Sequence, residues 1–278
     1  MSGSHAAEVE AGDRFAFGEN WGRFLRSLNE ARIAEAERSL RQMLELVSLE
    51  GRSFLDVGCG SGLFSLAARR LGARVHSFDY DPESVACARE LKRRFFPGDA
   101  SWTVQEGSAL DASFLTDLGQ FDVVYSWGVL HHTGAMWTAL DNVRPLVAPG
   151  GRLYISIYHD AGRSSRRWLR VKRLYNRLPS LLRPLVLAWA FCVLWGPVFF
   201  RDTLRGRPLQ TWGGYGGTRG MSPWRDVIDW VGGYPYEFAK PEEIFDFYKH
   251  RGFTLTKLRT FNGNGCDEFV FVRAGAAP

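Results

Sequence analysis

Three glycines at alternate positions, Gly58, Gly60 and Gly62, stand between a short apolar run, Ser53-Phe54-Leu55-Asp56-Val57, and a helix-forming stretch, Leu63 to Leu71. Glycine lets backbone approach a ligand closely and adopt positive φ, and a helix start offers free N–H groups, so this segment suits the polar part of a bound molecule. A dinucleotide-binding loop has the same ingredients but spaces its glycines as GxGxxG, a different pattern. Asp79 follows at the end of the run Val75-His76-Ser77-Phe78. A carboxylate there can accept hydrogen bonds from both hydroxyls of a ribose. Its other use is as a helix cap, a task that Asp81, immediately before Pro82, fits better. Two histidines, His131 and His132, come after the run Phe121 to Ser126. Histidine titrates near neutral pH and suits proton removal from a hydroxyl, or orientation of the group that carries it. The alternative is a hydrogen bond to a neighbouring loop. His159 and Asp160 close the run Gly151 to Tyr158 and are secondary candidates of the same kind, with exposed turn residues as the other reading.

These residues need elements to hold them. The pattern predicts strands at 53–57, 74–78, 101–106, 121–126 and 151–158, with helices at 63–71, 82–94 and 137–146 between them. Alternation of this kind is the rhythm of a doubly wound, parallel sheet, in which ligands bind beyond the carboxyl ends of the strands. An amphipathic helix is expected over 22–48, entered through the aromatic stretch Phe15-Ala16-Phe17-Gly18-Glu19-Asn20-Trp21. After Tyr158 the rhythm stops for about eighty residues, far beyond an ordinary connection. It resumes with a helix at 241–251 and strands at 254–260 and 268–273. The expected organisation is thus an N-terminal cap (1–49), a ligand-binding core (50–160), a basic and aromatic insertion (161–240) and a return to the core (241–278).

Composition narrows the field. At 45% hydrophobic and 14% aromatic residues the chain can bury a core, which argues against extended disorder. Cys59, Cys87, Cys192 and Cys266 are scattered, without a CxxC pair or companion histidines, so neither a disulfide framework nor a metal site is expected. No charged stretch followed by an apolar one opens the chain, which points to the cytoplasm. The formal charge of +5 is concentrated: residues 161–200 carry eight Lys/Arg and no Asp or Glu, leaving the remainder net acidic. A basic surface serving nucleic acid across the core is therefore not expected.

Taken together, the ordered motifs resemble the class I S-adenosylmethionine-dependent methyltransferases. Gly58, Gly60 and Gly62 match that family's first motif and Asp79 its ribose acid. Phe121-Asp122-Val123-Val124-Tyr125-Ser126 matches its fourth strand. Val129-Leu130-His131-His132-Thr133 and Arg144-Pro145-Leu146-Val147-Ala148-Pro149-Gly150-Gly151 match its later signatures. The likeness covers about residues 50–160 and the last two strands. It implies a Rossmann-like α/β fold with a mostly parallel seven-stranded sheet, an N-terminal helix and a lid insertion between strands five and six. By the same likeness Asp56 and Gly58 lie near the methionine part of S-adenosylmethionine, Asp79 and Tyr80 near ribose and adenine, and Trp127 near the methionine end. Where many members place an acid for the adenine amino group this chain has Gly107-Ser108-Ala109, so Ser108 or the backbone takes that place. S-adenosylhomocysteine is the product implied.

The acceptor expected is a small molecule, methylated at oxygen, such as a sugar or aromatic intermediate, with His131 as base or orienting residue and His132 second. The rivals are an RNA or protein methyltransferase and a cofactor-binding regulator without catalysis. Against RNA, Ser126-Trp127-Gly128-Val129 stands where a base-methylating Asn/Asp-Pro-Pro-Tyr signature would be. Phe15, Phe17 and Trp21 are candidates to close the pocket, or else to staple the following helix. Arg219, Asp226, Asp229 and Glu237 are candidates for a polar acceptor. Trp212, Tyr215, Trp224, Trp230, Tyr234 and Tyr236 are candidates for an aromatic pocket or for core packing. The run 213–217, with four glycines, reads as a mobile loop. In the insertion, Arg166, Arg170, Arg173 and Arg177 share one helical face opposite Trp168, Val171, Tyr175 and Leu178. The apolar run 184–200 is broken by Gly196-Pro197, short of the roughly 20 residues that span a bilayer. A lid is therefore expected ahead of a peripheral membrane contact.

Overall fold

The structure, a computed structural model, describes residues 4–18, 25, 28–219, 223–261 and 263–275, the side chains of 215–219 excepted. It divides into a sheet unit, residues 17–165 and 237–278, and a helical unit, residues 1–16 and 166–236.

The sheet unit holds seven strands: β1 (Ser53–Val57), β2 (Arg74–Asp79), β3 (Trp102–Glu106), β4 (Phe121–Trp127), β5 (Val147–Tyr158), β6 (Phe253–Arg259) and β7 (Cys266–Arg273). Their order is β3-β2-β1-β4-β5-β7-β6, with β7 alone antiparallel to its neighbours. Phe54, Leu55 and Val57 are all fully buried because a central parallel strand is covered on both faces. Alternation sends Leu55 and Val57 into one core with Phe78, Val124, Leu153 and Phe271, and Phe54 into the other with Val75, Val123, Tyr154 and Val270. The chain winds from β1 outward to β3, then returns to β4 on the other side of β1. That reversal opens a crevice at the carboxyl ends of β1 and β4, where doubly wound sheets bind ligands.

Three helices of this unit begin where an Asn or Asp side chain satisfies free N–H groups. Asn29 accepts from the Arg32 N–H at 3.1 Å and opens the helix Glu30–Leu44, so that helix starts later than expected and ends before Val47; residues 19–24, 26 and 27 lie outside those described. Asp81 accepts from the Glu83 N–H at 2.9 Å and opens Pro82–Phe95, the capping task that the sequence assigned to it. Asp111 opens Ala112–Leu118, a short helix with one buried residue, Leu115, and too little periodicity to stand out in the sequence.

In the helical unit, α-helices run over Arg163–Arg177, Arg183–Leu204, Gln210–Arg219 and Pro223–Gly232; the first begins in the sheet unit. Two expectations are corrected here. The glycine run 213–217 is helical backbone, not a loop. The Asp202 carboxylate accepts the Thr211 N–H at 2.9 Å and its hydroxyl at 3.0 Å, and Trp212 packs against Phe191, Trp195 and Phe199, so packing overrides weak helix propensity. Nor does Gly196-Pro197 break the apolar run: Arg183–Leu204 is one helix of 22 residues with Pro197 inside. Proline removes one helical hydrogen bond, and the Phe191, Trp195 and Phe199 rings pack on either side of it.

Lys172 is fully buried, although its neighbours in sequence form the cationic face. Its ammonium lies over the rings of Trp230 (4.2 Å) and Tyr236 (4.7 Å) and donates to the Trp230 carbonyl. Trp230 also packs on Trp168, so these aromatics fill a core. Phe15 belongs here too: its N–H donates to the Tyr234 carbonyl at 2.9 Å, and its ring occupies the space that a side chain at Gly232 would need.

Candidate active site

The glycine loop is shaped by its neighbours. Gly58, Gly60 and Gly62 have φ of 74°, 51° and 79°, a region costly for residues with a Cβ. Gly58 and Cys59 both donate to the Phe78 carbonyl, at 2.9 and 3.0 Å, which pins the loop after β1 to the end of β2. A Cβ on Gly58 would lie 2.3 Å from the Val129 side chain, so the loops after β1 and β4 are in close contact. Gly58→Ala is therefore expected to lower the melting temperature by several degrees, through strain of about 1–3 kcal/mol added to the clash. Adding Val129→Ala should restore only the clash component. Thermal unfolding of the three variants checks this, and an unchanged single variant would contradict the geometry.

Asp79 ties three loops together. Its Oδ2 accepts the Gly60 N–H at 2.8 Å, its Oδ1 accepts the Asp81 N–H at 2.9 Å, and its carbonyl accepts the Gly107 N–H at 3.0 Å. Burial pushes its carboxyl up to about 6, against the lowering effect of the Asp81, Gly60 and Tyr80 N–H donors. Asp56 is more deeply placed. It is buried on the face of β1 toward the helix Leu63–Arg70, where its Oδ2 accepts the Ser65 hydroxyl at 2.5 Å. That hydroxyl lies 2.7 Å from Ser77, which accepts the Trp102 indole N–H at 3.0 Å. Burial pushes Asp56 up to about 7, with the Ser65 bond opposing and the Asp79 charge adding. Asp56 thus ties β1 to the helix that follows the glycine loop.

Among the other residues expected to meet a cofactor, Tyr80 is half-buried beside Asp79 in the chain. Ser108 accepts the Leu110 N–H at 3.1 Å, and Ala109 is buried with its carbonyl accepting from Asn142. Trp127 is exposed, and its indole N–H donates to Glu268 at 3.3 Å; Glu268 also accepts the Tyr154 hydroxyl.

The histidines separate into two environments. His131 is fully buried, its Nδ1 accepts the Tyr158 N–H at 3.3 Å, and its ring lies 4.1 Å from the Tyr158 ring. An imidazole accepting at Nδ1 carries its proton on Nε2 when neutral, the arrangement of a donor, not of a base at that nitrogen. His132 packs between Tyr158 and Phe17, whose ring is 5.1 Å away, and Gly18 N–H donates to Asp81 at 2.8 Å. Phe17 therefore stands at the carboxyl edge of the sheet, whereas Trp21 lies outside the described residues. His159 differs from both. Its Nδ1 is 2.7 Å from Oδ2 of Asp267, which is buried and also accepts the Phe261 N–H. The His159 side chain keeps 27% of its surface open. Asp267 was not singled out in the sequence; it reaches His159 because antiparallel pairing sets it opposite Ile157.

Of the polar candidates in the late region, Glu237 accepts the Met136 N–H with both oxygens, and burial raises its carboxyl. Burial likewise pushes Asp229 up to about 7. The side chains of Arg219 and Tyr215 lie outside those described.

The strand order, the glycine loop and the acid at the end of β2 together define a Rossmann-like methyltransferase fold. A family model described as a methyltransferase domain matches residues 28–192, more than half of the chain, and the protein belongs to that family. It is 37% identical over 110 residues to a ubiquinone biosynthesis O-methyltransferase of Xanthomonas campestris, covering 40% of this chain and 44% of that protein. It is 33% identical over 116 residues to the ribosomal protein L11 methyltransferase of Methylococcus capsulatus, covering 41% and 36%. The chain thus matches less than half the length of either relative. In fold it resembles magnesium protoporphyrin IX methyltransferase of Synechocystis with bound SAH, at a TM-score of 0.54 and 14% identity over 92% of this chain and 95% of that one.

Proposed function

We propose that the protein transfers a methyl group from S-adenosylmethionine to a small-molecule acceptor, at oxygen. The observation that carries the reading is the Asp79 carboxylate. Its oxygens accept backbone N–H groups of Gly60 and Asp81, with Tyr80 contributing a further one, and a carboxylate has acceptor capacity beyond these for ribose hydroxyls. Gly58 and Gly60, with no side chain in the way, leave backbone beside it for the rest of the cofactor. When bound, the cofactor supplies an electrophilic methyl group on a sulfonium. The residues of this chain then have to align the acceptor with it, exclude water and take up the acceptor's proton. His159, oriented by Asp267 and partly open, suits the last task; His131, buried and accepting at Nδ1, suits a positioning role. Likeness to an O-methyltransferase of ubiquinone biosynthesis supports a small acceptor, while likeness to the L11 enzyme keeps a protein acceptor as the second reading.

Calorimetry with S-adenosylhomocysteine tests the cofactor, and the wild-type chain should bind it. Absence of binding would sink the whole reading. Incubation with methyl-labelled S-adenosylmethionine and a fractionated bacterial extract tests the acceptor. Label is expected in the small-molecule fraction; label confined to protein or RNA would replace the acceptor class. Cofactor binding with no label in any fraction would favour a non-catalytic regulator.

A further inference from the structure

The helical unit sorts its charge and its apolar surface in a way that cofactor chemistry does not require. On the helix Arg163–Arg177, Arg163, Arg166, Arg167, Arg170 and Arg173 are exposed while Lys172 is buried. None of these five arginines forms an ion pair among the described residues. Arg177, one turn further, approaches Asp13 at 3.7 Å. The next helix, Arg183–Leu204, presents Leu185, Trp189, Cys192, Gly196, Phe200 and Leu204 to solvent, spaced three or four residues apart and so forming one row. Leu185 is 69% exposed, Phe200 68% and Leu204 72%. Leu181 and Leu182 extend the row into the turn before the helix. The opposite side, with Leu187, Ala190 and Trp195, is buried.

This helix has a mean hydropathy of 1.6 over its most apolar 18 residues, of which only 17% are buried. A helix of the protein's own core would be mostly covered, and this one lies far from the N-terminus, where a signal sequence would be. At 1.5 Å per residue its length is about 33 Å. A row of this kind is a docking surface, and the charges beside it indicate for what. Arg167 stacks over the exposed Trp189 ring at 5.2 Å, so the arginine-bearing helix borders the apolar row. Unpaired arginines beside Trp, Phe and Leu match an anionic headgroup layer above acyl chains, with tryptophan at the boundary.

We propose that the helical unit docks on the surface of an anionic lipid bilayer. The helix Arg183–Leu204 lies in the interfacial plane with its apolar row toward the acyl chains, and the arginines of the preceding helix engage lipid phosphates. The helix does not span. Its inner side packs against Trp212 and Trp224 through Phe191, and it carries Asp202, buried and bonded to Thr211. Insertion across the bilayer would break those contacts and carry that carboxylate into hydrocarbon.

Flotation of the full chain with phosphatidylcholine vesicles, with and without phosphatidylglycerol, tests this. Binding is expected with phosphatidylglycerol, weakened by high salt, and accompanied by a blue shift of tryptophan emission that shrinks in Trp189→Phe. Replacing Arg163, Arg166 and Arg170 together by glutamine should lower partitioning at least tenfold, since each basic residue contributes about fivefold. Leu185→Ser with Phe200→Ser should lower it at unchanged charge. Both sets are exposed, and S-adenosylhomocysteine binding verifies that each variant is folded. Four outcomes overturn the proposal: no binding to phosphatidylglycerol vesicles; equal binding to neutral ones; resistance to alkaline carbonate extraction, which marks a spanning helix; or self-association through the apolar row in place of vesicle binding. The result is independent of whether the acceptor is small or macromolecular.

Discussion

Asp79→Ala should weaken S-adenosylmethionine and S-adenosylhomocysteine alike, by roughly a hundredfold or more. Two hydrogen bonds to a charged acceptor are lost, each typically about 1.5 to 3 kcal/mol. Asp79→Asn should be nearly as damaging. Both carboxylate oxygens accept backbone N–H groups, from Gly60 and Asp81, and an amide nitrogen on either side would face a donor with another donor. To separate direct contact from loop support, the wild type and Asp79→Ala are compared on an analogue lacking the ribose hydroxyls. The wild type should lose affinity for it, and the variant should barely distinguish it from the natural ligand. Equal sensitivity in both proteins would remove Asp79 from the ribose. A pH dependence follows. Burial holds the Asp79 carboxyl near 6, and hydrogen bonds from ribose favour its ionised form. Affinity should therefore be flat above about pH 7 and fall as the pH drops through 6, a dependence that Asp79→Ala lacks.

The second large effect is expected at His159. With the acceptor class in hand, His159→Ala and Asp267→Asn should each lower turnover by roughly a hundredfold while S-adenosylhomocysteine affinity stays within twofold. In Asp267→Asn an amide can present its N–H to Nδ1, which favours the tautomer protonated on Nε2 and disables that nitrogen as a base. Added imidazole should restore part of the His159→Ala activity, and acceptors with a more acidic hydroxyl should suffer less from either change. His131→Ala, if His131 positions the loop beside Tyr158, should not respond to imidazole. Full activity in His159→Ala would return the base to another residue.

How much of this was legible in the residues themselves depends on how local the cause is. The central strands were readable because strands buried on both faces are short continuous apolar runs, as in Phe54-Leu55 and Val123-Val124. The glycine spacing was readable because positive φ selects the residue directly. Asp81 showed itself as a cap through the proline after it. The glycine run 213–217 was misleading for the same local reason: its propensity is that of a loop, and only the packing of Trp212 and the Asp202–Thr211 bonds, set by another helix, reverses it. Gly196-Pro197 misled likewise. The His159–Asp267 pair joins residues 108 positions apart through the β5–β7 register, which no local pattern records. The sequence ranks His131 ahead of His132 without distinguishing their surroundings, which the ring contacts of Tyr158 and Phe17 make different.

The position of β7 has a consequence for how the molecule comes to exist. This strand follows β6 in the chain but lies between β5 and β6 in the sheet. During synthesis the ribosome releases β5 with its Arg152–Tyr158 edge bare, then residues 166–236 of the helical unit, then β6, before the strand that joins them emerges. For that interval a long apolar edge and an exposed aromatic helix coexist on one nascent chain, a state in which strand edges recruit neighbours. A stop or cleavage before Cys266 would make the interval permanent. The resulting fragment should keep β1 to β5 in register and still be captured by chaperones or aggregate, although every residue of the glycine loop and Asp79 is present.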